Sequence, residues 1–292
     1  MKELDLIKVI KEQIGDKYIG DDCAYLEDLG IVISQDSLVE DIHFKSEWCS
    51  PYQLGYKSVA VNVSDILASG AEPAYITIAL SLPKDISEDF VAEFYSGAKQ
   101  ALCGAKIVGG DITGADKVFI SVAAIGKTAG RRISSRSAAK SGYKVIVASN
   151  CLEKIGKSSK GLKELINGGR NMDLIRAHLE PELDVQLSRD ISEHINDDYA
   201  MMDTSDGLAD ALYKIAEASK VSINSEYIDG IFGAEDYILV AAVPEKFLKQ
   251  VNGYTIIGEV LEKQDYVVKI GDKKYKSYDE LNLFNHFGGD DE

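Results

Sequence analysis

The chain has 292 residues, 45% of them hydrophobic and 27% charged, a globular composition that excludes a wholly disordered protein. Its 48 acidic residues against 32 basic ones leave a net charge of −16, which argues against nucleic acid or an anionic membrane as the main partner. Any polyanionic substrate would need something to neutralise the local field.

The length fits two medium domains better than one. The opening segment MKELDLIKVIKEQIG is amphipathic, mixed in charge, and lacks the apolar core of a secretion signal. A strand is expected over 31–34. A helix follows over 54–69, stopped by Gly70. Residues 74–82 form the longest apolar run, far shorter than a membrane span and suited to a buried strand. A second helix is read over 87–105, with Phe90, Phe94, Ala98, Ala101, Leu102 and Ala105 facing the core at helical spacing. Further strands are expected over 117–126 and 143–148. Between them, 130–142 is rich in Arg, Ser and Gly, and the domain boundary falls near there.

In the second half, helices are expected over 158–167 and 182–192 and a strand over 199–203. Leu208, Leu212, Ile215 and Ser219 mark another helix, opened by Ser205-Asp206 as its cap. Strands follow over 221–227, 237–242, 254–261 and 266–270, and Gly271-Asp272 is placed to close a final hairpin. Cys23, Cys49, Cys103 and Cys151 are scattered with no CxxC pair. Reduced thiols in a cytoplasmic protein are the expectation, with no structural zinc.

Several aspartates stand apart from a solvated surface charge. Asp22 follows Gly20-Asp21, Asp36 follows an apolar run, and Asp65 sits within the apolar stretch 59–68. Asp111 follows Ile107-Val108-Gly109-Gly110, and Asp203 and Asp206 flank Thr204-Ser205. A carboxylate at the end of a buried strand must be hydrogen-bonded, protonated or metal-bound. Any one of them alone reads as a helix cap or turn former. Six in this setting form a hard oxygen donor set of the kind Mg²⁺ takes together with substrate phosphates. The cation would also reconcile an acidic protein with an anionic substrate. Gly109-Gly110-Asp111 adds a place where backbone N–H groups could approach a phosphate. The chain has no GxxxxGK[ST], no kinase-type GxGxxG and no GxSxG, so the common nucleotide-binding and hydrolase folds are not indicated.

In order, GDDCAYL (20–26), ISQDSLVEDIHF (33–44), LGYKSVAVNVSDILASGAEP (54–73), IVGGDIT (107–113), RSAAKSGYKVIVAS (136–149), MMDTSDGLADAL (201–212), GAEDYILVAAVP (233–244) and FNHFGG (284–289) span nearly the whole chain. Together they resemble the thiamine-monophosphate kinase family, within the superfamily of aminoimidazole ribonucleotide synthetase, selenophosphate synthetase and the hydrogenase-maturation dehydratase. GAEDY and the terminal NHF favour the kinase. The catalytic Cys segments of the latter two relatives are missing.

The resemblance implies an α/β fold of two domains, 1–135 and 136–292. The first is a mixed-sheet domain that pairs with its copy in a homodimer, and the second completes the ATP and thiamine phosphate site. It implies ATP-dependent conversion of thiamine phosphate to thiamine diphosphate, with two or more Mg²⁺ ions. By motif, the metal ligands would be Asp22, Ser34, Asp36, Asp65, Asp111, Asp203 and Asp206. ATP contacts would come from Tyr95, Gly110, Asp111, Arg136 and Ser205, and thiamine phosphate contacts from His43, Glu235 and Phe284.

Four departures stand out. Gln35 and Asp41 replace the family's usual Thr and Gly, GAEDYIL stands for GGEDYEL, and Phe284 stands where Trp or Tyr is common. The segment 152–169 matches poorly, and no contact is carried into it. The alternative is a superfamily synthetase acting on another phosphorylated acceptor, and a third reading is a binding protein that keeps the fold without the chemistry. A phosphate monoester is largely ionised at pH 7, with a second pKa of about 6, so a phosphate acceptor needs no general base. In-line transfer driven by metal and positioning fits a chain in which no catalytic His or Lys is apparent.

Overall fold

The structure is a computed structural model that describes residues 3–283, with the backbone alone for residues 3 and 4. In chain order the elements are α1 (Glu3–Ile14), β1 (Ala24–Leu26), β2 (Ile31–Val39), α2 (Pro51–Ala68), β3 (Glu72–Leu82), α3 (Glu88–Gln100), β4 (Lys106–Gly114) and β5 (Phe119–Lys127). They continue with β6 (Tyr143–Ala148), α4 (Lys157–Ile166), α5 (Met172–Leu179), α6 (Val185–His194), β7 (Ala200–Met202), α7 (Leu208–Ala218), β8 (Ser222–Ser225) and β9 (Val240–Pro244). The last strands are β10 (Tyr254–Leu261), β11 (Val268–Ile270) and β12 (Lys273–Tyr275).

The expected α/β class is observed, with two mixed sheets. The first has the order β1-β2-β5-β3-β4 and the second β12-β11-β8-β10-β6-β9-β7. Among the described strands only the β3–β4 and β8–β11 pairs are parallel. In the first sheet, alternation at period two sends Val32, Ile76, Ile78, Leu80, Ile120 and Val122 to the buried face, where α2 and α3 pack. Its edge strand β4 is exposed along almost its whole length, including Val108 and Ile112.

Helix α2 is the centre of the molecule. Ser50 caps it and Gln53 closes a capping box, with Pro51 in the first turn, so the helix begins earlier than its apolar pattern alone predicts. It is buried on nearly every side because it touches β2, β3 and β5 of the first half and α5, α6 and β7 of the second. Its crossing with α3 is close. A Cβ at Gly55 would lie 1.9 Å from the Phe94 carbonyl oxygen, and one at Gly97 would lie 1.8 Å from that of Tyr52.

Three expectations need correction, and Gly110 gains a packing role. The second helix stops at Gln100, because Cys103 (φ 46°) and Gly104 (φ 96°) turn left-handed. The glycines 109 and 110 lie inside strand β4, where a Cβ at Gly110 would meet the Ile78 carbonyl oxygen at 1.8 Å. Packing against β3 therefore requires glycine at 110 irrespective of any ligand. Helix α7 is capped by Gly207 (φ 105°), without a side-chain cap from Ser205 or Asp206. The strand expected at 237 begins at Val240, because Glu235 (φ 63°) and Tyr237 (φ 53°) are left-handed.

Candidate active site

The site forms where α2 meets the second half of the chain. Strand β2 carries Ser34 and Asp36 on its inner face, and α2 contributes Asn62, Ser64 and Asp65. The loop before β1 brings Asp22, and the turn after β7 brings Asp203. Oxygens of Asp22, Asp65 and Asp203 all lie within 4.8 Å of one another. Ser64 Oγ donates to Asp203 Oδ2 at 2.6 Å, and the Ser205 N–H donates to Asp203 Oδ1 at 3.2 Å. Ser34 Oγ donates to Asp65 Oδ2. The Asp36 N–H donates to Asn62 Oδ1 at 2.9 Å. Arg136, from a short 3₁₀ turn in the second half, donates to Asp22 Oδ1 at 2.8 Å.

Electrostatically this cluster is unstable by itself. Burial first, and then the charges of Asp36, Asp203 and Asp22, push the Asp65 carboxyl well above the carboxylate range. Burial and Asp22 push Asp203 up to about 7. Burial also raises Asp22, and Arg136 opposes that rise. Asp36 is raised by burial and by the charges of Asp22 and Asp206. Mutually repelling carboxylates with only oxygen donors between them fit a hard divalent cation, whose charge would reverse each of these shifts.

The other residues singled out in the sequence fall into three groups. Asp206 is exposed beside the cluster, and Lys214 joins it to Asp210 through two contacts of 2.9 Å. Gly110 and Asp111 are exposed on edge strand β4, and Tyr95 is half-buried on α3 against Phe94. Within one chain none of these three belongs to the acidic cluster. His43 and Glu235 lie at a second focus. His43 Nδ1 accepts from the Val39 N–H at 3.1 Å, and the ring lines a small cavity with Trp48, Lys57 and His178. Lys57 Nζ lies 3.4 Å from Glu235 Oε2 and 3.3 Å from His178 Nε2. Phe284 lies outside the described residues.

Sequence reasoning missed Lys57, His178 and Lys214. A signal for Lys57 existed: it is a lone cation in an apolar helix, seven residues before Ser64 and therefore on the same face. His178 offered none, because it lies on a helix that was not anticipated. Two of the departures from the family pattern have local accounts. Gln35 points to the opposite face of β2 from Ser34 and Asp36 and donates to Ser121 Oγ at 3.1 Å, so its side chain takes nothing from the cluster. Asp41 occupies a left-handed position (φ 66°), the kind glycine fills most easily.

Two packed α/β halves that share an acidic cluster define the class, a fold of the aminoimidazole ribonucleotide synthetase type. Residues 20–128 match the family described as AIR synthase related protein, N-terminal domain. The chain belongs to the thiamine-monophosphate kinase family. It is 31% identical to the thiamine-monophosphate kinase of Aquifex aeolicus, over 94% of this chain and 98% of that one. It is 33% identical to that of Bacillus subtilis, over 98% and 100%. The solved structure described as "AaThiL complexed with AMPPCP and TMP" superimposes with a TM-score of 0.86 at 30% identity, covering 98% of this chain and 97% of that one.

Proposed function

We propose that the protein transfers the γ-phosphoryl group of ATP directly to the phosphate of thiamine phosphate, forming thiamine diphosphate. The observation that carries this reading is the shared cluster of Asp22, Asp65 and Asp203, drawn from both halves of the chain. The family and the relative solved with AMPPCP and TMP supply the substrates.

Asp22, Asp65 and Asp203, with Ser34, Asp36 and Asp206 beside them, would hold Mg²⁺. When bound, the cation supplies charge neutralisation between two anions and on the transferred group. Every other step belongs to the chain. Arg136, fixed by Asp22, keeps a permanent positive charge beside the acids and would offer it to the triphosphate. Ser205, with its N–H held by Asp203, would contribute its hydroxyl to the nucleotide, as the family pattern implies. No residue need remove a proton, because the acceptor phosphate is already ionised at neutral pH. Rate then depends on alignment of donor and acceptor.

The acceptor's heterocycle would lie toward His43 and Glu235. Lys57 and Ser64 are seven residues apart on α2, roughly 10 Å along the helix axis at 1.5 Å per residue. That separation suits a substrate with its phosphate at the acids and its ring at Glu235. Tyr95, Gly110, Asp111 and Phe284 are carried as contacts from the family pattern. Exposed Val108 and Ile112 on edge strand β4 support the homodimer, since an open apolar edge is a pairing surface. The composition and free cysteines support a cytoplasmic location.

Purified protein incubated with ATP, Mg²⁺ and thiamine phosphate tests the reading. Thiamine diphosphate and ADP should form in equal amounts. No product at high enzyme concentration contradicts it.

A further inference from the structure

The contacts around Glu235 assign a role to two residues with none so far. Lys57 is almost fully buried on α2, with 4% of its side chain exposed, and His178 on α5 with 3%. Burial first, and then the Lys57 charge, lowers the His178 imidazole to about 4, so the ring is neutral at pH 7. Lys57 can only donate, so Nε2 of His178 is its acceptor and the ring proton sits on Nδ1. Nδ1 lies 3.3 Å from Glu235 Oε2 and 3.1 Å from Ser158 Oγ. Lys57 Nζ therefore donates to Oε2 while His178 Nε2 braces Lys57 from behind, and the Nδ1–H, hydrogen-bonded to Ser158 Oγ, lies close to the same oxygen; none of these contacts uses Oε1.

The backbone at this point is fixed as tightly. Glu235 is left-handed, its N–H donates to the Ser205 carbonyl at 2.7 Å, and the neighbouring Asp236 accepts from the N–H groups of Gly156 and Ser158 at 2.6 and 3.0 Å. Burial alone would push the Glu235 carboxyl up. The Lys57 charge and its hydrogen bond reverse this and hold it below its ordinary range. The side chain is still 28% exposed, so one edge of this ionised acceptor remains open.

We propose that Lys57 and His178 are positioning residues that fix Glu235 as an acceptor for the amino group of the substrate's pyrimidine ring, and so set selectivity for an amino-bearing over a carbonyl-bearing ring. This rests on the proposed use of thiamine phosphate. An amino group donates to the held carboxylate, whereas a carbonyl oxygen in its place would face a negative charge with no proton to offer.

The test compares thiamine phosphate with oxythiamine phosphate, which carries the carbonyl, in wild type, Lys57→Met, His178→Gln, Glu235→Gln and the Lys57→Met/Glu235→Gln double variant. Wild-type turnover of thiamine phosphate establishes the underlying reading separately, and its absence overturns both. Lys57→Met should raise KM for thiamine phosphate about 10-fold or more and leave KM for ATP within about 2-fold, and the preference for the amino ring should shrink about 10-fold. Lys57→Arg should restore part of that preference. In the Glu235→Gln background the Lys57 change should add little, because Lys57 acts through Glu235. If Lys57→Met does not fold, His178→Gln carries the same test, with a smaller loss of preference. An unchanged preference, or fully additive losses in the double variant, overturns the proposal.

Discussion

Ser64 Oγ donates to Asp203 Oδ2 at 2.6 Å, and this bond ties the central helix of the first half to the acid turn of the second. The hydroxyl orients a carboxylate of the cluster without belonging to it. Removing such a partner typically weakens metal binding 10- to 100-fold. Ser64→Ala should therefore raise the Mg²⁺ concentration for half-maximal turnover by about 10-fold. Saturating Mg²⁺ should recover most of the rate. A Mg²⁺ titration of turnover reads this directly, and an unchanged midpoint would contradict the orienting role.

Asp65 bears the heaviest repulsion in the cluster, with Asp22, Asp36 and Asp203 all raising it after burial. Asp65→Asn should cut turnover at least ~10²-fold, the equivalent of about 2.7 kcal/mol of lost charge stabilisation. The metal-free variant should melt no lower than metal-free wild type, since one repelling charge is gone. A melting scan with EDTA alongside an activity assay separates the two effects. A variant that unfolds would mean that Asp65 is structural.

His178 makes a pH prediction. The folded imidazole titrates near 4 and the unfolded one near 6.5, so below pH 6.5 the unfolded chain binds a proton that the folded chain does not. Stability from this group is complete above 6.5 and is lost as pH falls to 4. Its full extent is about 3 kcal/mol at 1.36 kcal/mol per pKa unit. Asp203 and Asp236, raised to about 7 and about 6, act in the opposite direction in both proteins. The difference between metal-free wild type and His178→Gln in urea unfolding should therefore shrink steadily from pH 6.5 to 4. A constant difference would mean that the imidazole is charged in the fold.

Asp41 stands left-handed where the family commonly has glycine, and its pair with Lys117 at 2.7 Å is largely solvent-exposed. Exposed pairs contribute little. Asp41→Gly should leave activity unchanged and shift Tm by no more than roughly 1–3 °C, upward if relief of the left-handed backbone dominates. A substantial fall in Tm would mean that the ion pair matters more than the backbone.

The sequence revealed much of this site because its carriers are local. Apolar runs bounded by Gly70 locate α2 and β3, and Asp65 is conspicuous as an acid within an apolar helix. The alternation of β2 explains why Ser34 and Asp36 share a face while Gln35 does not. Other features depend on tertiary packing. Gly110 reads as a glycine for phosphate approach, and its packing against β3 is a second reason for glycine that the sequence does not show. Ser205-Asp206 reads as a helix cap, yet Gly207 takes that position while Asp206 pairs with Lys214. The Lys57–His178–Glu235 contact joins residues 57, 178 and 235, and no pattern along the chain marks such a meeting. The segment around Asp111 is legible as a strand only once its exposed edge is seen.

The central claim is direct transfer between two anions. The measurement that tests it most directly follows the γ-phosphoryl group of labelled ATP during turnover with thiamine phosphate and Mg²⁺. Direct transfer predicts that all the label leaving ATP appears in thiamine diphosphate, with no free phosphate above the ATP-only control. Release of labelled phosphate matched to ADP, without labelled diphosphate product, would contradict it and place the protein among the synthetases that use ATP to activate a different acceptor.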